Sequence, residues 1–582
     1  AFQFQVSTVG KALVGDTLYD CWYKLPSIRR KKKTPHGLVT AATLPDFLVD
    51  IGVGDNLSEE DAETLVQKLA TIVGGHHGFF PSSEDIDNLD SVIAGTDERS
   101  VWRQHSRSIF EQLQGFVGLQ SNDLPNQCDN AAAMLLAGLT TVSDWIASNP
   151  EEESGFPYAN DKPFKEYAEE LPEKVKNALK KQGWGQPVSQ SPKAFTELFS
   201  FINEPRPLQE AAEALSKTLT PPCLVINEAS MGEGKTEAAL YLADYFQHKG
   251  NGGGFYIGLP TQATSNAMFD RVREFLAKRY PNEVINLTLS HSAAALQAEY
   301  QSTVCRLDQV YDEEGGNVVA SEWHTARKRS LLSPYGVGTI DQGLMGVVRS
   351  RHQFVRLFGL AGRTVILDEI HAYDLYTGTL LERFLEWLAL LGSPVIALSA
   401  TLPRNIRQGL MSAYAQGSGY PAPELPETPY PRLTAFTNGT VTATSFPASN
   451  HVCRELEICW VTEEEWVTNL QEKLNDGGCV AIICSTVGRA QKVYDQLQAN
   501  FTPNEELGLF HGRFLFTDRE RIEKECLDQF GKNSVNLFDF LAFLIKSQDF
   551  QQPRPLNLYL LNILSKPIRP YRFVLVATQV IE

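Results

Sequence analysis

The sequence has no run of about 18 apolar residues, so nothing in it reads as a membrane-crossing helix. Its nine cysteines include no CxxC pair, which argues against a zinc ribbon or a disulfide framework and fits the reduced thiols of a cytoplasm. It opens on AFQFQV, without a Met or a basic n-region, so no secretory signal is expected. Internal repeats and low-complexity tracts are also missing. Positive charge is in deficit: 52 Lys and Arg stand against 70 Asp and Glu, for a net −18. That excludes a chain that holds nucleic acid by bulk charge, but a local basic channel can sit within an acidic exterior. The one basic island, Arg29-Arg30-Lys31-Lys32-Lys33, reads most simply as a solvated loop. What is present is ordinary for a multidomain globular protein, with 43% hydrophobic and 21% charged residues over 582 positions.

Patterning divides the chain. Up to about residue 185, DAETLVQKLATIVGG, RSIFEQLQGFVG and NAAAMLLAGLTTVSDWIAS carry apolar residues at three- and four-residue spacing, as amphipathic helices do. A polar stretch, QGWGQPVSQSPK, reads as a linker and places the boundary at 186–200. From 201 to 435, the short apolar runs PCLVINEA, GGFYIGLP, RTVILDE and SPVIALSA alternate with helical segments, the pattern of a parallel sheet with crossover helices. The Pro-rich YPAPELPETPYPR ends this region, and a second α/β set over 445–582 is expected to contain strands LEICWV, GCVAIICS and RFVLVAT. The apolar stretch 534–568 within it reads as a helical insertion.

Three motifs carry chemistry. Ala229-Ser-Met-Gly-Glu-Gly-Lys-Thr236 follows an apolar strand and precedes a helical run, the context a phosphate-binding loop requires. Gly232, Glu233 and Gly234 turn backbone N–H groups toward phosphate oxygens, Lys235 reaches the β- and γ-phosphates, and Thr236 ligates Mg2+. Asp368-Glu369-Ile370-His371 follows the strand RTVIL; Asp368 is placed to hold Mg2+ and Glu369 to polarise the attacking water. Ser399-Ala400-Thr401 closes the next strand, and its hydroxyls are candidates to couple the nucleotide site to a strand-binding face.

In this order, GKT, DEIH and SAT resemble the superfamily 2 helicases. The resemblance implies two RecA-like α/β lobes with ATP between them, a glutamine at Gln209 that reads adenine, and weakly sequence-selective contacts to the phosphates and sugars of a strand. Those contacts fall on Thr261, Thr264, Ser265 and Asn266, on Thr339 and Gln342, on Ser399 and Thr401, and in the second lobe on Thr486 and Thr578. The chain stops inside the segment resembling motif V, so the second lobe is expected to be incomplete.

The N-terminal region offers a second site. His76 and His77 sit in Gly-Gly-His-His-Gly, His36 lies upstream and Asp144 downstream in Ser-Asp-Trp. By residue type, imidazoles and a carboxylate suit Mn, Fe, Co or Ni, while structural histidines remain the alternative. HGLVTA, GGHHG and SDWIAS ahead of GEGKT, LPTQATSNAM, SPYGVGTIDQ, DEIHAYD and FHGRF resemble the CRISPR-associated helicase–nucleases of type I systems. That family implies an all-α HD-type nuclease bundle over 1–185 whose metals cleave single-stranded DNA, held here by His36, His76, His77 and Asp144 with Ser143 and Trp145 beside them. It also implies ATP and Mg2+ for the motor, recruitment by the Cascade surveillance complex to a displaced strand, a prokaryotic cytoplasmic setting and a monomer. The family's His-Asp pair is not in this sequence, so the metal shell is expected to be partial. Two other readings stay open: a different helicase with a purely binding helical domain, and a recruitment scaffold with an inactive motor.

Overall fold

The computed structural model describes residues 36–89, 101–149 apart from 121–122, 156, 163–184, 191–453 with breaks at 250–252, 292–293, 295–297, 306–316, 327 and 451, 457–530, 535–536, 568–569 and 572–578. The basic island 29–33 and nearly all of 534–568 lie outside them. The chain forms two compact units, 1–454 and 455–582.

The first unit begins with helices: α1 (His36–Asp50), α2 (Glu59–Gly74), α3 (Val101–Val117), α4 (Asn130–Ala147) and α5 (Phe164–Gln182). Capping follows from composition: Ser58 accepts the backbone N–H of Asp61 to start α2, and Asp129 accepts that of Ala132 to start α4. The crossing of α1 and α2 depends on two glycines. A Cβ on Gly37 would stand 2.3 Å from the carbonyl oxygen of Gly74, and one on Gly74 would stand 2.5 Å from that of Gly37.

The rest of the unit is built on one ten-stranded sheet. Its strands are β1 (Cys223–Glu228), β2 (Phe255–Leu259), β3 (Val284–Ser290), β4 (Val304–Cys305), β5 (Asn317–Ser321), β6 (Tyr335–Thr339), β7 (Thr364–Leu367), β8 (Val395–Ser399), β9 (Arg432–Thr437) and β10 (Thr440–Ser445). Across the sheet they run β10-β9-β1-β8-β7-β2-β6-β3-β5-β4. Strands β1 to β8 pair in parallel, and the β9–β10 hairpin adds antiparallel to β1. Every residue of β1, β2, β6, β7 and β8 is buried, as a sheet covered on both faces requires. One apolar cluster, around Phe246, Phe255 and Leu276, fills one face; another, around Phe384, Leu388 and Tyr414, fills the other. Phe195 and Phe199, from the segment read as linker, are buried in the first of these.

Helix α6 (Pro207–Ser216) precedes β1, α7 (Lys235–Lys249) follows the phosphate-loop motif, and α8 (Gln262–Arg279) follows β2. Helix α9 (Gln353–Leu360) packs on α4: a Cβ on Gly138 would meet Phe358 at 2.3 Å, and Phe354 and Val355 share a core with Ile72, Ala137 and Val142. The helical region and the sheet thus bury apolar surface against each other.

The second unit carries α10 (Trp466–Lys473), β11 (Gly478–Ile483), α11 (Val487–Leu497), β12 (Leu507–Phe510), α12 (Phe516–Phe530), β13 (Val535–Asn536), β14 (Ile568–Arg569) and β15 (Arg572–Ala577). Its three-stranded parallel sheet is ordered β11-β15-β12. The strand expected at LEICWV is not formed over 457–461. That segment has no ladder partner among the described residues, and Ile458 and Trp460 are 80% and 96% exposed. Its apolar composition reads as a strand, but composition alone supplies no hydrogen-bond partner.

Beneath the sheet's loop edge, fully buried Glu228 receives both Arg407 (2.7 Å) and Arg432 (2.7 Å). Glu228→Gln leaves Arg407 buried without its counter-charge and is expected to destabilise the first unit by about 3–5 kcal/mol. Thermal denaturation of the variant against the parent measures this; an unchanged melting temperature counts against the triad as a structural anchor.

Candidate functional site

Because β1, β2, β6, β7 and β8 are parallel, their C-terminal ends share one edge, where the motif loops gather. The phosphate loop leaves β1 and enters α7 through Gly232 (φ 86°) and Gly234 (φ 83°). Lys235 is buried, and its Nζ donates to the Ala229 carbonyl at 2.9 Å, folded back over the loop. Gln209, in α6, is buried with Oε1 accepting the Arg206 N–H at 2.9 Å. Its Nε2 would lie 2.2 Å from a Cβ on Gly234, so the glutamine rests against the loop itself. Glu233 keeps its backbone in the phosphate loop while its side chain turns away from it. Its carboxylate is fully buried and accepts the backbone N–H (2.9 Å) and hydroxyl (2.5 Å) of Ser449, so the side chain braces the loop from behind.

Asp368 and Glu369 follow directly on β7. Glu369 adopts a left-handed backbone (φ 49°), strain that non-glycine residues keep where the surroundings hold them. Its N–H donates to Asp368 Oδ1 at 2.9 Å. Burial and the neighbouring Glu369 push the Asp368 carboxyl up to about 6, while Lys235 acts the other way. His371 Nδ1 lies 3.2 Å from Glu369 Oε2 and 3.2 Å from Ser399 Oγ, joining the DEIH and SAT segments. Ser399 also donates to the Thr401 carbonyl at 2.9 Å.

The candidate strand contacts are less uniform. Thr261 caps α8, accepting the Thr264 N–H at 3.2 Å. Ser265 is fully buried and donates to the Thr261 carbonyl at 2.7 Å. Asn266 Oδ1 meets His291 Nε2 at 2.8 Å. Thr339 is buried, its carbonyl accepting the Tyr256 hydroxyl at 2.8 Å, and Gln342 is half-buried on the turn that follows. In the second unit, Thr486 caps α11 by accepting the Arg489 N–H at 3.2 Å, and the Thr578 N–H donates to the Phe510 carbonyl at 3.1 Å. The hydroxyls of Thr261, Ser265 and Thr486 thus hold local structure.

In the helical region the Gly37–Gly74 contact sets the first residue of α1 against the 3-10 turn Gly75–His77 that follows α2. The ligand atoms of His36, His76 and His77 all lie within 4.8 Å of one another. His36 Nε2 is 2.7 Å from His76 Nε2 and 3.0 Å from His77 Nε2. His76 Nδ1 donates to the Val73 carbonyl at 2.8 Å, which leaves Nε2 bare toward the other rings. Burial first, then His77 and His76, lower His36 to about 4, so the ring is neutral at pH 7, as a metal ligand must be. His77 is lowered by burial and by His76, and raised by Asp144. Buried Asp144 is therefore near His77, although the close cluster is the three histidines alone. Three converging imidazole ligand atoms fit a divalent transition metal. Trp145 is half-buried and packs on His352 of the sheet region; Ser143 is exposed.

A phosphate-loop motif and a cluster of three histidines lie within one compact unit, and known proteins share that pairing. Residues 1–152 match the family model "Cas3, HD domain", and residues 476–582 match "CRISPR-associated nuclease/helicase Cas3, C-terminal". A CRISPR-associated endonuclease/helicase Cas3 of Thermus thermophilus is 36% identical over 94% of this chain and 59% of its own length. A crystal structure titled T. fusca Cas3-AMPPNP is similar at a TM-score of 0.73 and 31% identity, over 96% of this chain and 59% of that one. A chain of a structure titled CRISPR RNA-guided surveillance complex, pre-nicking, is similar at a TM-score of 0.61 and 28% identity, over 95% of this chain and 56% of that one. The chain thus carries segments matching the Cas3 HD and Cas3 C-terminal models and is similar to Cas3 proteins over nearly its whole length, while spanning a little under 60% of the length of these relatives.

Sequence reasoning missed Arg351 and His352, whose contacts with the histidine turn are described below. The run Arg349-Ser350-Arg351-His352 was the available signal. A pH-linked prediction follows from Asp368. A carboxylate whose folded pKa is raised makes the ionised form a destabilising element, present above about pH 6 and relieved as pH falls toward its unfolded value. Asp368→Asn removes that charge and keeps an acceptor for the Glu369 N–H. It is expected to raise the stability of the protein at pH 7 by about 1–3 kcal/mol, an effect that vanishes near pH 4. Melting temperatures across pH decide it; a destabilised variant at pH 7 refutes the burial argument.

Proposed function

We propose that this chain is the core of an ATP-driven single-stranded DNA translocase joined to a metal-dependent DNA nuclease, acting on foreign DNA in type I CRISPR interference. The observation that carries the reading is the placement of Lys235, Asp368 and Glu369 on one loop edge in the same unit as the His36–His76–His77 triad. In the motor, Lys235 leaves the Ala229 carbonyl for the β- and γ-phosphates, Thr236 and Asp368 hold Mg2+, and Glu369 takes the proton of the attacking water. Gln209, lying against Gly234, reads adenine at the mouth of the loop. Mg2+ supplies charge neutralisation on the phosphates. His371 links Glu369 to Ser399, a path by which nucleotide state reaches the SAT segment and the strand contacts at Thr261, Thr264, Asn266, Gln342 and Thr401.

In the nuclease centre His36, His76, His77 and Asp144 hold divalent ions drawn from Fe, Mn, Co or Ni, which polarise the scissile phosphate. The chain's own part is to hold the three imidazoles aimed at one point. Similarity to a chain of a CRISPR RNA-guided surveillance complex supports a Cascade-type complex as the partner that delivers the displaced strand. Among the described residues no helix is long and apolar enough to cross a membrane. The second lobe as a partial RecA-like domain, a monomeric state and a cytoplasmic setting belong to this proposal.

The test separates the two centres. Lys235→Ala is expected to abolish ATP hydrolysis, and Glu369→Gln to bind ATP but turn it over at least a hundred-fold more slowly. In both variants, nicking of pre-exposed single-stranded DNA by the full-length protein survives. Near-normal ATPase in Lys235→Ala, or equal stimulation of the parent by RNA and DNA, would sink the DNA-motor reading. Separately, His77→Ala should lower Mn2+ binding and cleavage by orders of magnitude with ATPase retained; metal affinity equal to the parent's removes the triad from the nuclease.

A further inference from the structure

The turn that carries His76 and His77 is held from two sides. On the helical side Thr141 Oγ1 donates to the His76 carbonyl at 3.3 Å. On the other side the next two carbonyls are taken by the sheet region. Arg351 Nε donates to the His77 carbonyl at 3.1 Å, and the His352 N–H donates to the Gly78 carbonyl at 3.0 Å. The fit is close. Gly78 has φ 117°, and a Cβ on it would stand 2.5 Å from Arg351 Cγ and 3.0 Å from His352 Nε2. His352 is itself left-handed (φ 61°) and buried, with its ring against Trp145, the residue after Asp144. The segment just before α9 therefore lines the histidine site without being part of the helical region.

That segment brings charge. Arg351 is exposed, and with Nε spent on the His77 carbonyl its two terminal nitrogens remain for other acceptors. Lys328 is exposed nearby; its ammonium and the buried Arg356 guanidinium both act on His352, and Arg351 and Arg356 hold Lys328 below its usual value after burial. Among the described residues no carboxylate pairs with Lys328, Arg351 or Arg356, and the buried Nε of Arg356 has no partner. In a chain of net charge −18, three cations gathered around His352 with no carboxylate in ion-pair contact favour an added anion.

We propose that Arg351 and Lys328 form a phosphate-holding subsite beside the histidine triad, and that its ligand is the phosphodiester backbone of a single DNA strand. The inference deepens the nuclease reading above and rests on it. Phosphate contacts position a strand without reading its bases. A guanidinium with two free nitrogens suits a non-bridging phosphate oxygen pair, and a lysine supplies a mobile point charge to the neighbouring phosphate. The nuclease substrate is thus gripped by residues of the motor half, and Arg351 ties the grip to the turn that aims the imidazoles.

The experiment uses the full chain, Mn2+ as the metal probe, and an oligothymidine long enough to span motor and triad. Arg351→Ala, Arg351→Lys and Lys328→Ala are compared with the parent by fluorescence anisotropy over a salt series and by Mn2+ titration calorimetry. Each alanine variant is expected to bind the strand several-fold more weakly near physiological salt, with the slope of log K against log salt reduced by about 0.7 per lost contact. Lys328→Ala keeps parental Mn2+ affinity, and Arg351→Lys recovers part of the slope because charge is retained. Salt slopes equal to the parent's in both alanine variants overturn the subsite. So does a loss confined to Mn2+ binding in Arg351→Ala, which would make Arg351 a brace of the turn and nothing more. Failure of the parent itself to bind Mn2+ would strike the nuclease reading instead, so the two failures are distinguishable.

Discussion

The parallel run of β1, β8, β7, β2 and β6 is the constraint on which the phosphate-loop edge depends. A parallel ladder puts every strand's C-terminal end on the same edge, so loops far apart in sequence must meet there. Residues 229–236, 259–266, 339–342, 368–371 and 399–401 are brought together by that geometry alone. The edge is then stiffened by polar contacts that apolar packing cannot supply. Glu228 is locked between Arg407 and Arg432 at the end of β1, and Glu233 is fixed to Ser449. A phosphate loop is mostly backbone and would otherwise lose its shape, because glycines with positive φ impose little conformation of their own.

The histidine centre is made by a different device, close approach. Helices usually cross at 8–10 Å because side chains intervene. Here Gly37 and Gly74 remove them, and the residues next to those glycines, His36 and the Gly75–His77 turn, converge as a consequence. The 3-10 turn solves a second problem. Two adjacent residues on an α-helix point about 100° apart and cannot both face one ion. Leaving the α-helix just before His76 allows both rings to reach His36.

Much of this was legible in the sequence. The three long helical patterns, the strands PCLVINEA, GGFYIGLP, RTVILDE and SPVIALSA and the phosphate-loop signature are local, since burial period and turn chemistry are written in neighbouring residues. The convergence of His36 with His76 and His77 was reached through family resemblance, and its geometric cause, a glycine beside each ligand, stood in HGLVTA and GGHHG all the same. What was not legible is long-range. Nothing local says that Glu233 turns its carboxylate to Ser449, that the β9–β10 hairpin closes on β1, or that LEICWV finds no ladder partner. Strand propensity in that last segment is real, but a strand exists only where a partner's amides and carbonyls are within reach.

The phosphate-loop edge and the histidine cluster meet through one junction in the first unit. The apolar contact of α4 with α9 fixes the helical region on the sheet, and the polar contacts of Arg351 and His352 then fall on the carbonyls of the histidine turn and nowhere else on that surface among the hydrogen bonds described. A flexible tether would bring a strand into the neighbourhood of the metal ligands but not hold it in register with them. A misplacement of about 1 Å at a reacting phosphate is enough to lose a large part of the rate. A buried helix–helix seam ending in two directed hydrogen bonds restrains the relative motion of the two halves. The segment leading into α9 therefore both lines the histidine cluster and belongs to the sheet region that carries the phosphate loop, so that a strand held at one would be tied to the framework of the other.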